Sequence, residues 1–118
     1  MSDTTGTLHI TIDLVDNSTI VCPAGRLDFA AAPAFQHALE QAVSGGGSVP
    51  AAVVVDCSQL EYVSSAGLRA FLLGARAAKA ADVRFGVCAL QPIIAEVFSV
   101  SGFNKIIEQY ADRDAALA

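Results

Sequence analysis

At 118 residues, with a formal net charge of −5 and a pI near 4.7, the chain lacks the basic footprint that nucleic-acid binding requires. Hydrophobic residues make up 53% and charged residues 16%, which excludes a disordered chain and suits one core of single-domain size. No apolar run approaches the roughly 20 residues of a membrane span, and the polar start Met1-Ser2-Asp3-Thr4-Thr5-Gly6 lacks the basic region of a secretory signal, so a cytoplasmic protein without direct membrane insertion is expected.

Leu8-His9-Ile10-Thr11-Ile12-Asp13-Leu14 alternates in the strand period, and Asp16-Asn17-Ser18 supplies turn chemistry before a second strand from Thr19 to Ala24. Gly25-Arg26-Leu27-Asp28 leads into a helix over roughly Ala31 to Ser44, with Phe35, Ala38, Leu39 and Ala42 at helical spacing. Gly45-Gly46-Gly47-Ser48 ends it. No Lys-Ser or Lys-Thr follows those glycines, so they read as a connection rather than a phosphate cradle. Val53 to Cys57 is apolar on both faces, as a central parallel strand is. A helix from about Ser65 to Ala80 and a strand from Val83 to Cys88 complete a crossover unit, which should be right-handed. Gln91-Pro92 opens a further helix with Ile93, Ile94, Val97 and Phe98 toward the core, and Ser101-Gly102 stops it. Phe103 to Ile107 suggests a short edge strand, and Tyr110 to Ala118 one or two helical turns. The expected organisation is a single domain over 1–118, with loosely ordered termini at 1–7 and 111–118.

Cys22, Cys57 and Cys88 are odd in number, lack metal-ligand spacing and lie in apolar segments, so they read as buried reduced thiols, with no metal site and no cofactor implied. The stretch that carries chemistry is Leu60-Glu61-Tyr62-Val63-Ser64-Ser65-Ala66-Gly67-Leu68-Arg69. Two hydroxyls and a glycine sit where a short loop opens into a helix, beside backbone N–H groups without intrahelical partners and the positive end of the helix dipole. Three readings compete. One serine can cap the helix, contributing about 1 kcal/mol. Ser65-Ala66-Gly67 can be compared with the nucleophile elbow G-x-S-x-G, but Val63 replaces the first glycine, and both histidines, His9 and His37, lie upstream where a hydrolase needs one downstream. The third reading is a phosphorylatable turn.

Three ordered segments support the third reading. The Leu60–Arg69 turn follows a Val-Val-Val-Asp strand; Gly25-Arg26-Leu27-Asp28 matches a Gly-x-Leu-Asp element; Val97-Phe98-Ser99-Val100-Ser101-Gly102-Phe103 is similar to a closing Leu-Phe-x-x-x-Gly-Leu pattern. Together, over roughly Leu8 to Ile107, the chain resembles the STAS domain family, specifically its bacterial anti-sigma factor antagonists. The resemblance implies an α/β fold with a mixed four- to five-stranded β-sheet and helices packed mainly on one face. The family's turn is Asp-Ser-Ser/Thr-Gly-Leu, phosphorylated on the first hydroxyl after Asp. Alignment on Gly67-Leu68 puts Ser65 on the phosphoacceptor, with Ser64 in place of the Asp and as the alternative acceptor, and Ala66 in place of the second hydroxyl.

By resemblance the protein is no enzyme. It acts by partner switching: unphosphorylated, it binds a serine-kinase anti-sigma factor, and phosphate on Ser65 releases it until a PP2C-type phosphatase removes the group. A monomer or weak dimer is expected. If the helix buries Leu68, Phe71, Leu72 and Ala75, its other side presents Arg69, Leu73, Arg76 and Ala80, a docking stripe beside Ser64 and Gly67. Asp28 is a helix cap and, by resemblance, a further partner contact. The alternative is a constitutive STAS interaction subunit, such as that of a lipid-transport ATPase complex, without phosphorylation.

Overall fold

The computed structural model describes residues 2–5, 8–45 and 48–118. Two strands and a tight turn open the ordered core. β2 (Leu8–Val15) and β3 (Ser18–Leu27) form an antiparallel hairpin closed at Val15↔Ser18, and β1 (Ser2–Thr5) adds antiparallel to the outer edge of β2. Asp16 takes φ 53° in the hairpin turn, a left-handed conformation that Asp tolerates better than most side chains. The residues expected to be loose at the N-terminus therefore include a paired strand, whereas 1, 6 and 7 lie outside the described residues. So do 46–47 of the glycine run; Gly45 itself, at φ 68°, ends α1 (Ala32–Ser44) by donating its N–H to the Gln41 carbonyl.

From β3 onward the pairing is parallel. β4 (Ala52–Asp56) pairs with the first half of β3, β6 (Arg84–Cys88) pairs with β4, and β7 (Glu108–Tyr110) pairs with β6. β4 stops at Asp56, and β5 (Leu60–Val63) takes over as the parallel neighbour of the second half of β3. The register shifts between Gly25 and Arg26, where Gly25 has φ 106°, a conformation that a side chain would strain. The mixed α/β architecture is the expected one, enlarged by short additions to seven strands among the described residues. The expected edge strand at Phe103 to Ile107 is corrected. Phe103–Lys105 is a 3-10 turn after Gly102 (φ 77°), and the chain reaches the sheet edge at Glu108. In that turn the Phe103 ring packs edge-on against Phe98, with centroids 5.6 Å apart.

α1, α2 (Ser65–Ala80) and α3 (Pro92–Val100) cover one face of the sheet. Phe35, Phe71 and Phe98, one from each helix, form a chain of tilted rings at 4.9 and 5.2 Å, all fully buried. The opposite face carries a smaller cluster of Ile20, Val54 and Cys88, closed by Ala116 of α4 (Arg113–Leu117). The C-terminal segment expected to be loosely ordered is thus docked, with Ala116 fully buried and Arg84 Nη2 donating to its carbonyl at 2.6 Å.

Candidate functional site

β5 delivers the chain to α2 through a single residue, Ser64, and that residue is fully employed. Its backbone is extended (φ −81°, ψ 171°), and its Oγ accepts from the Gly67 N–H at 3.1 Å, the bond of a helix N-cap. The same hydroxyl donates to the Leu27 carbonyl at 3.0 Å, and the Ser64 N–H donates to that carbonyl at 2.9 Å. The end of β3 and the start of α2 are therefore joined by one serine. Gly67 permits it, since a Cβ there would lie 2.7 Å from Leu27 Cγ and 3.0 Å from the Leu27 carbonyl oxygen.

Ser65, the first residue of α2, is exposed, and its hydroxyl has no hydrogen-bond partner among the described residues. It sits at the positive end of a 16-residue helix, where an added anion is favoured by the dipole and by first-turn N–H groups. Ser65, the nucleophile position of the elbow reading, makes no hydrogen bond to a histidine among the described residues, so that reading gains no geometry.

Asp28 follows Leu27 directly and so lies next to this turn in the chain path. Its Oδ1 accepts from the Ala31 N–H at 3.0 Å and its carbonyl from the Ala32 N–H at 3.1 Å. These are the two bonds of a cap, made for the 29–31 turn ahead of the regular helix. Next to it stands Phe29, 81% exposed. On the neighbouring ladder Tyr62 is partly exposed with the Arg26 guanidinium 4.2 Å from its ring centroid. Sequence reasoning missed both aromatics. The available signal was Phe29 standing out of phase with the Phe35–Leu39–Ala42 face.

The buried face of α2 needs correction. It consists of Gly67, Ala70, Phe71, Gly74 and Ala78, while Leu68, Leu72 and Ala75 are only half-buried. The small residues let the helix approach α1 closely; a Cβ on Gly74 would lie 2.7 Å from Leu39 Cδ1. Arg69 and Arg76 are exposed as expected, and Leu73 is half-buried. Arg76 lies eleven residues beyond Ser65, about 16 Å along the axis, so the expected stripe divides between the turn and the far end of the helix.

A second polar cluster lies on the other side of the sheet. Arg113 donates from Nε to Asp56 Oδ2 at 2.6 Å, from Nη1 to Asp13 Oδ2 at 2.9 Å, and lies 3.0 Å from Cys22 Sγ through Nη2. Burial pushes the Asp56 carboxyl up, but the Ser58 N–H at 3.0 Å and Arg113 outweigh it and leave its pKa below the ordinary value. Burial raises all three thiols, Cys88 to about 11. Cys57 and Cys88 are buried as expected, whereas Cys22 is half-buried beside Arg113. This arrangement clamps α4 to the sheet. No group of His, Cys, Asp and Glu among the described residues could hold a metal ion, and no described helix is long and apolar enough to cross a membrane.

The family model described as "Mlab, STAS domain" matches residues 10–108. A Bordetella bronchiseptica protein carrying the name anti-sigma factor antagonist BtrV is 35% identical over 111 residues, covering 94% of this chain and 93% of that protein. The crystal structure of an anti-sigma factor antagonist from Mycobacterium paratuberculosis superposes with a TM-score of 0.82 at 26% identity, over 93% of this chain and 91% of that one. The Bacillus cell fate determinant SpoIIAA in its phosphorylated form shares the fold at a TM-score of 0.69 and 20% identity, over 92% and 96% of the two chains. With the Leu27–Ser64–Gly67 junction set in this sheet and a family model spanning most of its length, the chain belongs to the STAS domain family.

Proposed function

We propose that this protein is an anti-sigma factor antagonist that works by partner switching, with Ser65 as the phosphoacceptor. The observation that carries this reading is the division of labour in the turn: Ser64 is consumed by capping, and Ser65 presents an exposed, unbonded hydroxyl one residue later. The name of the Bordetella relative supports the class of function, and the phosphorylated form of Bacillus SpoIIAA, a protein of the same fold, supports the phosphoacceptor reading.

In the unphosphorylated state the surface around Ser65, with Arg69 and Asp28, docks on a serine-kinase anti-sigma factor and frees the sigma factor, while Gly67, expected as a contact, is buried against Leu27 and shapes the turn instead. The kinase, with its own ATP, transfers a phosphoryl group to Ser65 Oγ. An O–P bond forms, the bond to the β-phosphate oxygen breaks, ADP leaves, and the hydroxyl proton passes to the kinase. The protein gains about −1.5 to −2 charges. The α2 N-terminus accommodates that charge, so the fold stands and the interface is lost. A PP2C-type phosphatase returns the hydroxyl by hydrolysis. The protein is substrate and ligand in this cycle, without catalysis or cofactor of its own, and acts in the cytoplasm as a monomer or weak dimer.

The test combines phosphopeptide mapping from growing and stressed cells with binding titrations. Ser65→Asp weakens kinase binding about tenfold or more through like-charge and desolvation costs, whereas Ser65→Ala binds like wild type and takes up no phosphate. A second reading, a constitutive STAS interaction subunit, is favoured by the capping Ser64 standing where the resemblance places Asp. It prevails if the covered peptide never carries phosphate and both variants bind unchanged.

A further inference from the structure

The acidic chain concentrates its positive charge in one place. Of seven Lys and Arg residues, four, Arg76, Lys79, Arg84 and Lys105, line a single open groove of about 790 Å³ between the C-terminal half of α2, the start of β6 and the 3-10 turn. Arg84 is turned away, its guanidinium bonded to the Ala116 carbonyl on the other side of the sheet. The other three are exposed, and none has an ion-pair partner among the described residues. Asp82 is the one carboxylate in the lining. Between the cations the groove is apolar: Phe85 is buried at its base, Leu72 is half-buried, and Ile106 stands 58% exposed.

An apolar base with a basic rim selects its occupant by chemistry. A free phosphate needs convergent donors rather than an open trough of this size. A nucleic acid needs a longer basic surface than three exposed cations and brings a phosphate backbone, not apolar side chains, to Leu72 and Ile106. We infer that this groove docks an acidic amphipathic segment of a partner protein, which lays apolar side chains over Leu72, Phe85 and Ile106 and places carboxylates against Arg76, Lys79 and Lys105. The mode is that of a helix laid in a groove, steered by charges that the rest of the surface opposes. The site is separate from the Ser65 turn, about 16 Å along α2, and it needs no phosphate to operate.

The experiment titrates the ¹⁵N-labelled full chain with a synthetic 16-residue amphipathic peptide whose Leu face is flanked by Glu. The expected result is a set of amide shifts confined to 72–79, 83–85 and 105–106, weakened by salt and absent with the Gln-for-Glu peptide. Arg76→Glu with Lys79→Glu and Lys105→Glu should weaken binding about tenfold or more. Lys105→Glu alone, on an exposed turn, should weaken it measurably and guards against misfolding of the triple variant. Shifts scattered over the surface, or binding unchanged in both variants, would overturn the inference. So would stronger perturbation of the same amides by tripolyphosphate, or by phosphatidylglycerol vesicles, which would assign the groove to a small anion or a lipid surface.

Discussion

Ser64 and Ser65 are chemically identical and stand on opposite sides of one helix boundary. The hydroxyl before the boundary closes a backbone bond, and the one after it faces solvent. Removing the first therefore has a structural cost. Ser64→Ala should lower stability by about 1 kcal/mol, a few degrees of melting temperature by thermal denaturation, while leaving Ser65 able to accept phosphate. The sequence located this turn and both serines, because a buried strand, a hydroxyl pair and a glycine before a helical period are local signals. Choosing between the serines from their own spacing was beyond it, since that choice depends on where the Leu27 carbonyl lies, 37 positions earlier in the chain.

At the scale of elements, α2 is packed by what its residues lack. Apolar periodicity points to Leu68 and Leu72, yet beside Phe71 the helix buries Gly67 against Leu27 of β3 and Gly74 against Leu39 of α1, where those leucines leave no room for a larger side chain. That lesson lies outside a single helix: a hydrophobic stripe ranks residues by size, and a close crossing ranks them by clearance. A different reason hid β5, whose Leu60 and Val63 are buried while Glu61 and Tyr62 between them are exposed, a pattern without strand alternation. Helix propensity favours alanine over glycine by about 1 kcal/mol, but here packing overrides it. Gly67→Ala should destabilise by about 2 kcal/mol in denaturant titration, because its Cβ meets a Leu27 branch point and a backbone oxygen. Gly74→Ala should cost less, because its nearest neighbour is the end of the Leu39 side chain, which can shift.

For the whole molecule, the two faces of the sheet differ in kind. One is closed by three helices and a run of phenylalanines. The other is closed over Ile20, Val54 and Cys88 by the five-residue α4 and the Arg113 ion pairs. Composition announced one core but gave no hint of this clamp, since its partners lie 57 and 100 positions apart and no local pattern links them. Because Asp56 titrates below its ordinary value in the folded protein, its contribution is complete above that value and is lost as pH falls through the lowered one. Asp56→Asn should cost about 1–3 kcal/mol at neutral pH and flatten the acid limb of a stability–pH profile measured by denaturant unfolding. The clamp also has a consequence in time. Arg113 ties the last helix back to Asp13 near the start of the chain, and when that tie breaks only the short segment beyond β7 gains conformational freedom. Held by so few groups, α4 should open at a lower free energy than the sheet beneath it, and the buried Cys88 should then react with a thiol reagent through brief partial openings before the phenylalanine face gives way.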